Sequence, residues 1–326
     1  MGVYHLMGLG RSPGTVIGPL TYLAHRYNRW NAEDQRFFAR SGEARQRAAG
    51  EKVGDVQALV LFTTREVLDG KVLASEYVDN PPGRIIAEPE RLSKPLSKPM
   101  KEVLSGLLRR EWPAISGGRR EGTIFWCEVD RRDIRTTYER VIRVVAALAG
   151  VGGQGKEMWA NLTGGNNVIN FALELAAILS GDVARLYYVQ AENEAAEKCV
   201  RYTAENGYWV ELPVMPLALG RLNQAIIDLL DKRGPLSMDA LYSILRNEYW
   251  DLSRGLTSEE VLREEYLAPL WKQGLITEAS SGYVVGPQWE LIRPYQETLK
   301  EARQEGLTIE ALVQESWLER ETLEFE

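Results

Sequence analysis

The chain has 326 residues, enough for one large domain or two. Its 44% apolar and 26% charged residues are ordinary for a globular protein, and no uninterrupted apolar run is long enough to span a membrane. Two cysteines (Cys127, Cys199) and two histidines (His5, His25), none in a CxxC or clustered arrangement, supply zinc chemistry and a Ser-His-Asp triad poorly, so no metal or other cofactor is expected.

The start, MGVYHLMGLG, lacks the basic end and long apolar stretch of a signal peptide, and Leu6 stands where a myristoylation signal wants Ser or Thr. A cytoplasmic protein with no membrane partner is expected. The formal net charge of −7 is uneven: residues 218–326 hold 11 Lys and Arg against 20 Asp and Glu, which leaves the front of the chain slightly basic.

In chain order, short apolar runs alternate with helical patterns, as in an α/β fold with a parallel sheet. Strands are predicted at Val3–Gly8, Gln57–Thr63, Thr123–Val129, Met158–Thr163, Ala184–Val189 and Tyr208–Pro213. Helices are predicted over Arg65–Tyr77, Ile134–Ala149 and Val168–Leu179, the last with Val168, Phe171, Ala172, Leu175, Ala176 and Leu179 at helical spacing. Residues 30–55 and 80–122, polar and punctuated by Pro, Lys and Arg, read as insertions or long connections.

Leu212–Pro216, with two prolines, reads as a linker. Beyond it Leu222, Ala225, Ile226, Leu229 and Leu230 mark a helix ended by Gly234-Pro235, and Ser237 caps a second one. Thr257-Ser258-Glu259-Glu260 reads as a capping box opening a third helix that stops at Gly274. LITEASSGYVVG then reads as two strands around a Ser-Ser-Gly turn. Three helices and a hairpin give the order of a winged helix-turn-helix, here over 216–290, followed by an acidic helical tail over 291–326.

Where strands hand over to helices in the front half, the loops are polar. In an open parallel sheet such loops gather at the carboxyl edge, where ligands bind. Gly8-Leu9-Gly10-Arg11-Ser12-Pro13-Gly14 has GxGxxxG spacing, which does not match a dinucleotide fingerprint, but its glycine N–H groups, hydroxyl and guanidinium suit a phosphate. Thr63-Thr64-Arg65-Glu66 reads either as a helix cap or as a ligand contact. Asp130-Arg131-Arg132-Asp133 brings two arginines to the same edge. Thr163-Gly164-Gly165-Asn166-Asn167 is the richest loop, with glycines that allow close backbone approach and amides that can read adenine, sugar or phosphate.

HLMGLGRSPGTV, DVQALVLFTTREV, VDRRDIRTTYERVIRVV and above all NLTGGNNVINFALELAAILSG followed by ARLYYV resemble the CARF family, the CRISPR-associated Rossmann folds. The resemblance covers about residues 1–215, and Asn161 to Gly165 is its most specific part. It implies a Rossmann-like domain that dimerises and binds a cyclic oligoadenylate, most often the tetramer, across the two-fold axis. Gly10, Arg11 and Ser12 match the family's first ligand loop, and Thr163, Gly164, Gly165, Asn166 and Asn167 the second. The family commonly continues Thr-Gly-Gly-Thr-Lys, so a neutral amide here replaces the lysine that faces the ligand's phosphates. Arg11, Arg65, Arg131 and Arg132 are the candidates to replace its charge.

An RxxxxH ribonuclease signature is absent, and residues 218–326 offer no convincing PD-(D/E)xK constellation. A winged helix binds DNA by default, but the third helix begins with Glu259, Glu260, Glu264 and Glu265 against Arg263 and Lys272, which disfavours phosphate contact. CARF proteins of this layout include metal-independent ring nucleases, which hold a ribose 2′-hydroxyl in line with its 3′-phosphate, and ligand-controlled transcription regulators. The expected reading is a ring nuclease with Ser12, Arg11 and Asn167 at the scissile site. A regulator and a non-cleaving sensor remain as alternatives.

Overall fold

The structure is a computed structural model and describes residues 2–39, 52–81, 84, 98–150, 155–213 and 220–324. It divides into two compact units, Met1–Pro216 with Leu299–Glu326, and Leu217–Thr298. Part of the expected linker, 214–219, lies outside the described residues, as do large parts of the two expected insertions.

The first unit is a seven-stranded, mostly parallel sheet. Its strands are β1 (Val3–Gly8), β2 (Val56–Thr63), β3 (Glu121–Glu128), β4 (Glu157–Asn161), β5 (Val183–Ala191), β6 (Gly207–Leu212) and β9 (Leu318–Glu324), in the order β6-β5-β4-β1-β2-β3-β9. The five central strands run parallel, while β6 pairs antiparallel with β5 and β9 antiparallel with β3. Every residue of β1 is buried, as a strand covered on both faces requires. The Rossmann-like α/β expectation therefore holds at the level of architecture, and all six predicted strands form within a few residues of their expected ends.

Helix α1 (Gly14–Arg29) follows β1, and the helix crossing from β2 to β3 is α4 (Met100–Ile115). These two pack together over Met7, Leu59, Leu61 and Trp126. The chain then returns to the other side of β1, and α5 (Ile134–Ala149) and α6 (Asn167–Ser180) pack against each other. Reversing direction across a sheet with right-handed crossovers puts this pair on the opposite face.

Four expectations are corrected here. The helix expected at Arg65–Tyr77 is only the single turn α3 (Arg65–Leu68). The true crossover helix is α4, inside the segment expected as a connection, where Met100, Val103, Leu104, Leu107, Leu108, Trp112 and Ile115 form one buried stripe. Within 30–55, α2 (Ala32–Phe38) is held by a full capping box from Asn31 and Asp34 and buries Phe37 and Phe38. The tail is not wholly helical: after α12 (Pro287–Gln304) and α13 (Ile309–Leu312), β9 completes the sheet of the first unit. Its Glu321 accepts hydrogen bonds from Trp126 Nε1 (2.9 Å), Ser105 Oγ (3.2 Å) and Arg109 (2.9 Å), partners that no local pattern announces.

Between β5 and the second unit runs α7 (Glu194–Lys198), then β6. The second unit holds α8 (Arg221–Arg233), α9 (Met238–Glu248), α10 (Glu259–Val261), α11 (Ala268–Lys272) and the antiparallel hairpin β7 (Ile276–Ala279) with β8 (Gly282–Val285). Its own core gathers Leu222, Ile226, Leu230, Leu241, Leu245, Leu262, Leu270, Ile276 and Trp289. Ser237 caps α9 as expected, its Oγ accepting the Ala240 N–H at 3.3 Å. Ser258 caps α10 alone: its third helical residue is Val261, so the expected capping box does not form. Pro269 has no N–H for the carbonyl of Glu265 and its ring would clash there. The helix absorbs this as a π-helical turn over Leu262–Leu267, with Ala268 N–H reaching the Arg263 carbonyl five residues back.

Candidate functional site

The strand order reverses between β1 and β4, since β2 and β3 lie on one side of β1 and β4 and β5 on the other. Such a switch point leaves a crevice at the carboxyl edge, flanked here by the loops Leu9–Pro13 and Leu162–Asn166. The end of β1 and the start of α1, which flank the first loop, touch the second loop. A Cβ on Gly8 would lie 2.8 Å from the Gly164 carbonyl oxygen, and one on Gly164 would run into the Gly8 carbonyl and come within 2.7 Å of Thr15 Oγ1. Gly165 has φ of +84°, a left-handed conformation that side chains rarely adopt. These glycines therefore let the second loop pack closely on the end of β1, whatever else they contact. Gly10 has open space around it.

The candidate residues separate into supports and exposed groups. Thr63 is fully buried and its hydroxyl donates to the Leu9 carbonyl (3.0 Å), so it braces the first loop and does not face the edge. Thr64 is the N-cap residue of α3 without capping it; its hydroxyl hydrogen-bonds the exposed Glu66 carboxylate, which is held below the usual carboxylate range. Thr163 Oγ1 accepts the Val189 N–H (2.9 Å), tying the second loop to β5. Asn166 is the N-cap of α6 and its Oδ1 accepts the Ile169 N–H (3.0 Å). Asn167 opens that helix with an exposed side chain.

Arg11 is exposed, with Nε 3.4 Å from the Leu73 carbonyl, while its own carbonyl takes hydrogen bonds from Ser75 N–H (2.7 Å) and Ser75 Oγ (3.1 Å). Ser12 accepts at its carbonyl from Thr15 Oγ1 (2.8 Å), at the start of α1, whose N-terminus carries no side-chain cap. Arg131 and Arg132 are exposed in the turn after β3, two strand spacings from β1 or roughly 10 Å. They neighbour Glu66. Arg65 is taken up by Glu128 (3.1 Å) and Asp69 (3.0 Å). The cations that line the crevice itself thus reduce to Arg11 among the four considered.

Beneath the second loop lies a polar group that motif reading passed over. Asn161, the last residue of β4, is fully buried, and its Oδ1 accepts the Thr163 N–H at 2.6 Å. It pairs across the sheet with Met7 and Tyr187. The Tyr187 hydroxyl lies 2.8 Å from His5 Nδ1. Burial pushes the Tyr187 phenol up, with the Asn161 amide acting the other way. Burial, helped by the Arg185 guanidinium, pushes His5 down to about 3, so the imidazole is neutral. His5 Nε2 has no hydrogen-bond partner among the described residues. A lone histidine in an apolar strand gives no signal of this pairing, because Tyr187 lies 182 residues away.

No protein-family model matches the chain. An uncharacterized protein of Archaeoglobus fulgidus is 27% identical over 263 residues, covering 76% of this chain and 79% of that one. Protein VC1899 from Vibrio cholerae, a solved structure, aligns at 11% identity with a TM-score of 0.31, over 91% of this chain and 66% of that chain. The chain thus spans just under two thirds of that protein's length. Among the described residues no helix is long and apolar enough to cross a membrane. Burial pushes the Cys127 thiol up, which leaves it an unreactive core group.

Proposed function

We propose that this protein is a cytoplasmic member of CRISPR type III antiviral signalling that binds a cyclic oligoadenylate, with cyclic tetra-adenylate the first choice, across the two-fold axis of a homodimer. The single observation that carries the reading is that the Gly10–Ser12 and Thr163–Asn167 loops, which bear the CARF resemblance, follow the adjacent strands β1 and β4 at the switch point of the sheet, with Gly8 packed on Gly164 and Gly165. Exposed Arg11 and half-buried Ser12 then contact phosphate and ribose, the Gly165 backbone approaches the ligand, and Asn167 faces adenosine or sugar. Cleavage needs no metal in this scheme. A 2′-hydroxyl held in line with its own 3′-phosphate attacks it, giving a 2′,3′-cyclic phosphate end, and the protein supplies positioning and charge stabilisation.

A second reading, a sensor that binds without cleaving, is favoured by Asn167 at the lysine position, since a neutral amide stabilises developing phosphate charge less. The second unit reads as a winged helix on its three-helix-and-hairpin order. Glu259, Glu260, Glu264 and Glu265 lie on the segment that would enter a DNA groove, so a protein-interaction role suits it better than DNA binding.

The test is incubation of the full-length protein with labelled cyclic tetra-adenylate, with and without EDTA. The nuclease reading expects linear products with 2′,3′-cyclic phosphate ends, unaffected by EDTA, and a loss of tenfold or more in cleavage for Ser12→Ala with binding nearly kept. Intact ligand at stoichiometric protein removes the nuclease and leaves the sensor. Absence of measurable binding by calorimetry removes both. A gel shift at low salt on the protein's own promoter would restore the transcription regulator.

A further inference from the structure

We infer that residues 72–80, between α3 and α4, belong to the candidate site, and that Ser75 among them is a positioning residue for Arg11. Three hydrogen bonds tie this stretch to the first loop, each of them at Arg11. The Arg11 carbonyl accepts the Ser75 N–H (2.7 Å) and the Ser75 hydroxyl (3.1 Å), and Arg11 Nε donates to the Leu73 carbonyl (3.4 Å). The stretch is itself held at both ends. On one side the Met100 N–H reaches the Val72 carbonyl (2.8 Å) and the Ala74 N–H the Lys98 carbonyl (3.1 Å), at the start of α4. On the other side the Val78 N–H donates to the Lys198 carbonyl (2.9 Å) and the Val78 carbonyl accepts the Val200 N–H (3.0 Å). The Asn80 side chain then accepts the Arg201 N–H (3.0 Å) and donates to the Arg201 carbonyl (3.1 Å). Ala74 and Val78 are buried between these anchors. The backbone that meets Arg11 is therefore fixed before any ligand arrives.

The effect on Arg11 is to orient its guanidinium without neutralising it. Arg65 is taken up by Glu128 and Asp69, Arg26 and Arg29 by Asp34, and Arg201 by Glu111 and Asp79. Arg11 has no carboxylate partner among the described residues, and the group that holds its Nε is a neutral carbonyl. Its two terminal nitrogens have no partner among the described residues, so their donors are left for an anion. Such a fork matches two oxygens of one phosphate. An exposed arginine ordinarily gives up rotamer freedom when it binds, and one held in advance gives up less. Ser75 acts at the backbone end of this arrangement: its two bonds to the Arg11 carbonyl set the peptide from which the side chain leaves. It touches no ligand itself.

That the anion is a phosphate of a cyclic oligoadenylate rests on the proposed function, so one readout needs no ligand. Water exchange of the Arg11 Nε–H is followed by NMR in the full-length protein, with exposed Arg131 as the reference. The expected result is exchange about three- to tenfold slower at Arg11 than at Arg131, lost in Ser75→Ala and restored in Ser75→Thr. Equal rates at the two arginines of the wild type overturn the proposal, and so does slow exchange that survives Ser75→Ala. Calorimetry with cyclic tetra-adenylate supplies the second readout. Ser75→Ala should bind about three- to tenfold more weakly than the wild type, and should add no loss in an Arg11→Ala background. A loss of the same size in that background overturns the proposal, because Ser75 would then act elsewhere. Slow exchange lost in Ser75→Ala, with no binding by the wild type, keeps the positioning role and removes the ligand reading.

Discussion

His5 makes the stability of this protein depend on pH in a window set by burial. Its folded-state value of about 3 lies below the ordinary value of 6.5, so between these limits the unfolded chain takes up a proton that the folded chain refuses. The contribution is therefore present above pH 6.5 and is lost as pH falls toward 3, with a slope of up to about 1.4 kcal/mol per pH unit. Urea unfolding of His5→Phe should give a shallower fall between pH 6.5 and 4.5 than the wild type; equal slopes would mean that the imidazole is not kept neutral. The glycines of the crevice offer a paired contrast. Gly164→Ala drives a methyl into the Gly8 carbonyl and should cost about 1–3 kcal/mol, whereas Gly10→Ala meets nothing and should fall within about 0.5 kcal/mol of the wild type. Thermal unfolding of the two variants decides it, and a neutral Gly164→Ala would mean that the second loop is not packed on the end of β1.

At the level of elements, the edge strand β9 is held by the Glu321 carboxylate as well as by its ladder. Glu321→Ala leaves the buried Trp126 indole N–H and the Ser105 hydroxyl without their acceptor, for an expected loss of about 1–3 kcal/mol in chemical denaturation. Glu319→Ala, whose partner Lys101 is a surface pair, should cost no more than about 1 kcal/mol. The parallel strands and α5 were legible because burial on both faces writes continuous apolar runs, and because Ile134, Tyr138, Val141, Ile142 and Val145 repeat at helical spacing. Helix α4 has an equally clear stripe, yet prolines and lysines before it and Gly-Gly-Arg-Arg after it suggest a loop. Strand β9, LERETLE, has four charged residues in seven, two of which, Glu319 and Glu321, pair with Lys101 and Arg109 of α4. The site followed the same division. Gly10–Ser12 and Thr163–Asn167 could be placed together from their strand ends, while the roles of Thr63, Asn166 and Asn161 depend on partners that only folding brings near.

On the scale of the whole molecule, each unit has its own core, and the two should differ when cut apart. The second unit's cluster runs from Leu222 to Ile292 with nothing borrowed from the sheet, so a fragment spanning 217–298 should show helical circular dichroism and a cooperative melt. A fragment ending at 213 lacks β9 and bares the edge of β3, and should be aggregation-prone unless 299–326 is supplied in trans. A non-cooperative melt of the first fragment, or a stable soluble monomer of the second, would contradict this division.

The order of the strands in time differs from their order in space. A growing chain makes six strands of the sheet before residue 213, then an entire separate unit, and only then β9. Domains usually fold as units in the order in which they are made. Here the first unit keeps one open edge throughout synthesis of the second, and its closure links Cys127 to Leu318 across the longest stretch of chain between any paired strands. That closing step is a slow, non-local one. A premature stop anywhere in the second unit would therefore leave the already translated first unit without its last strand.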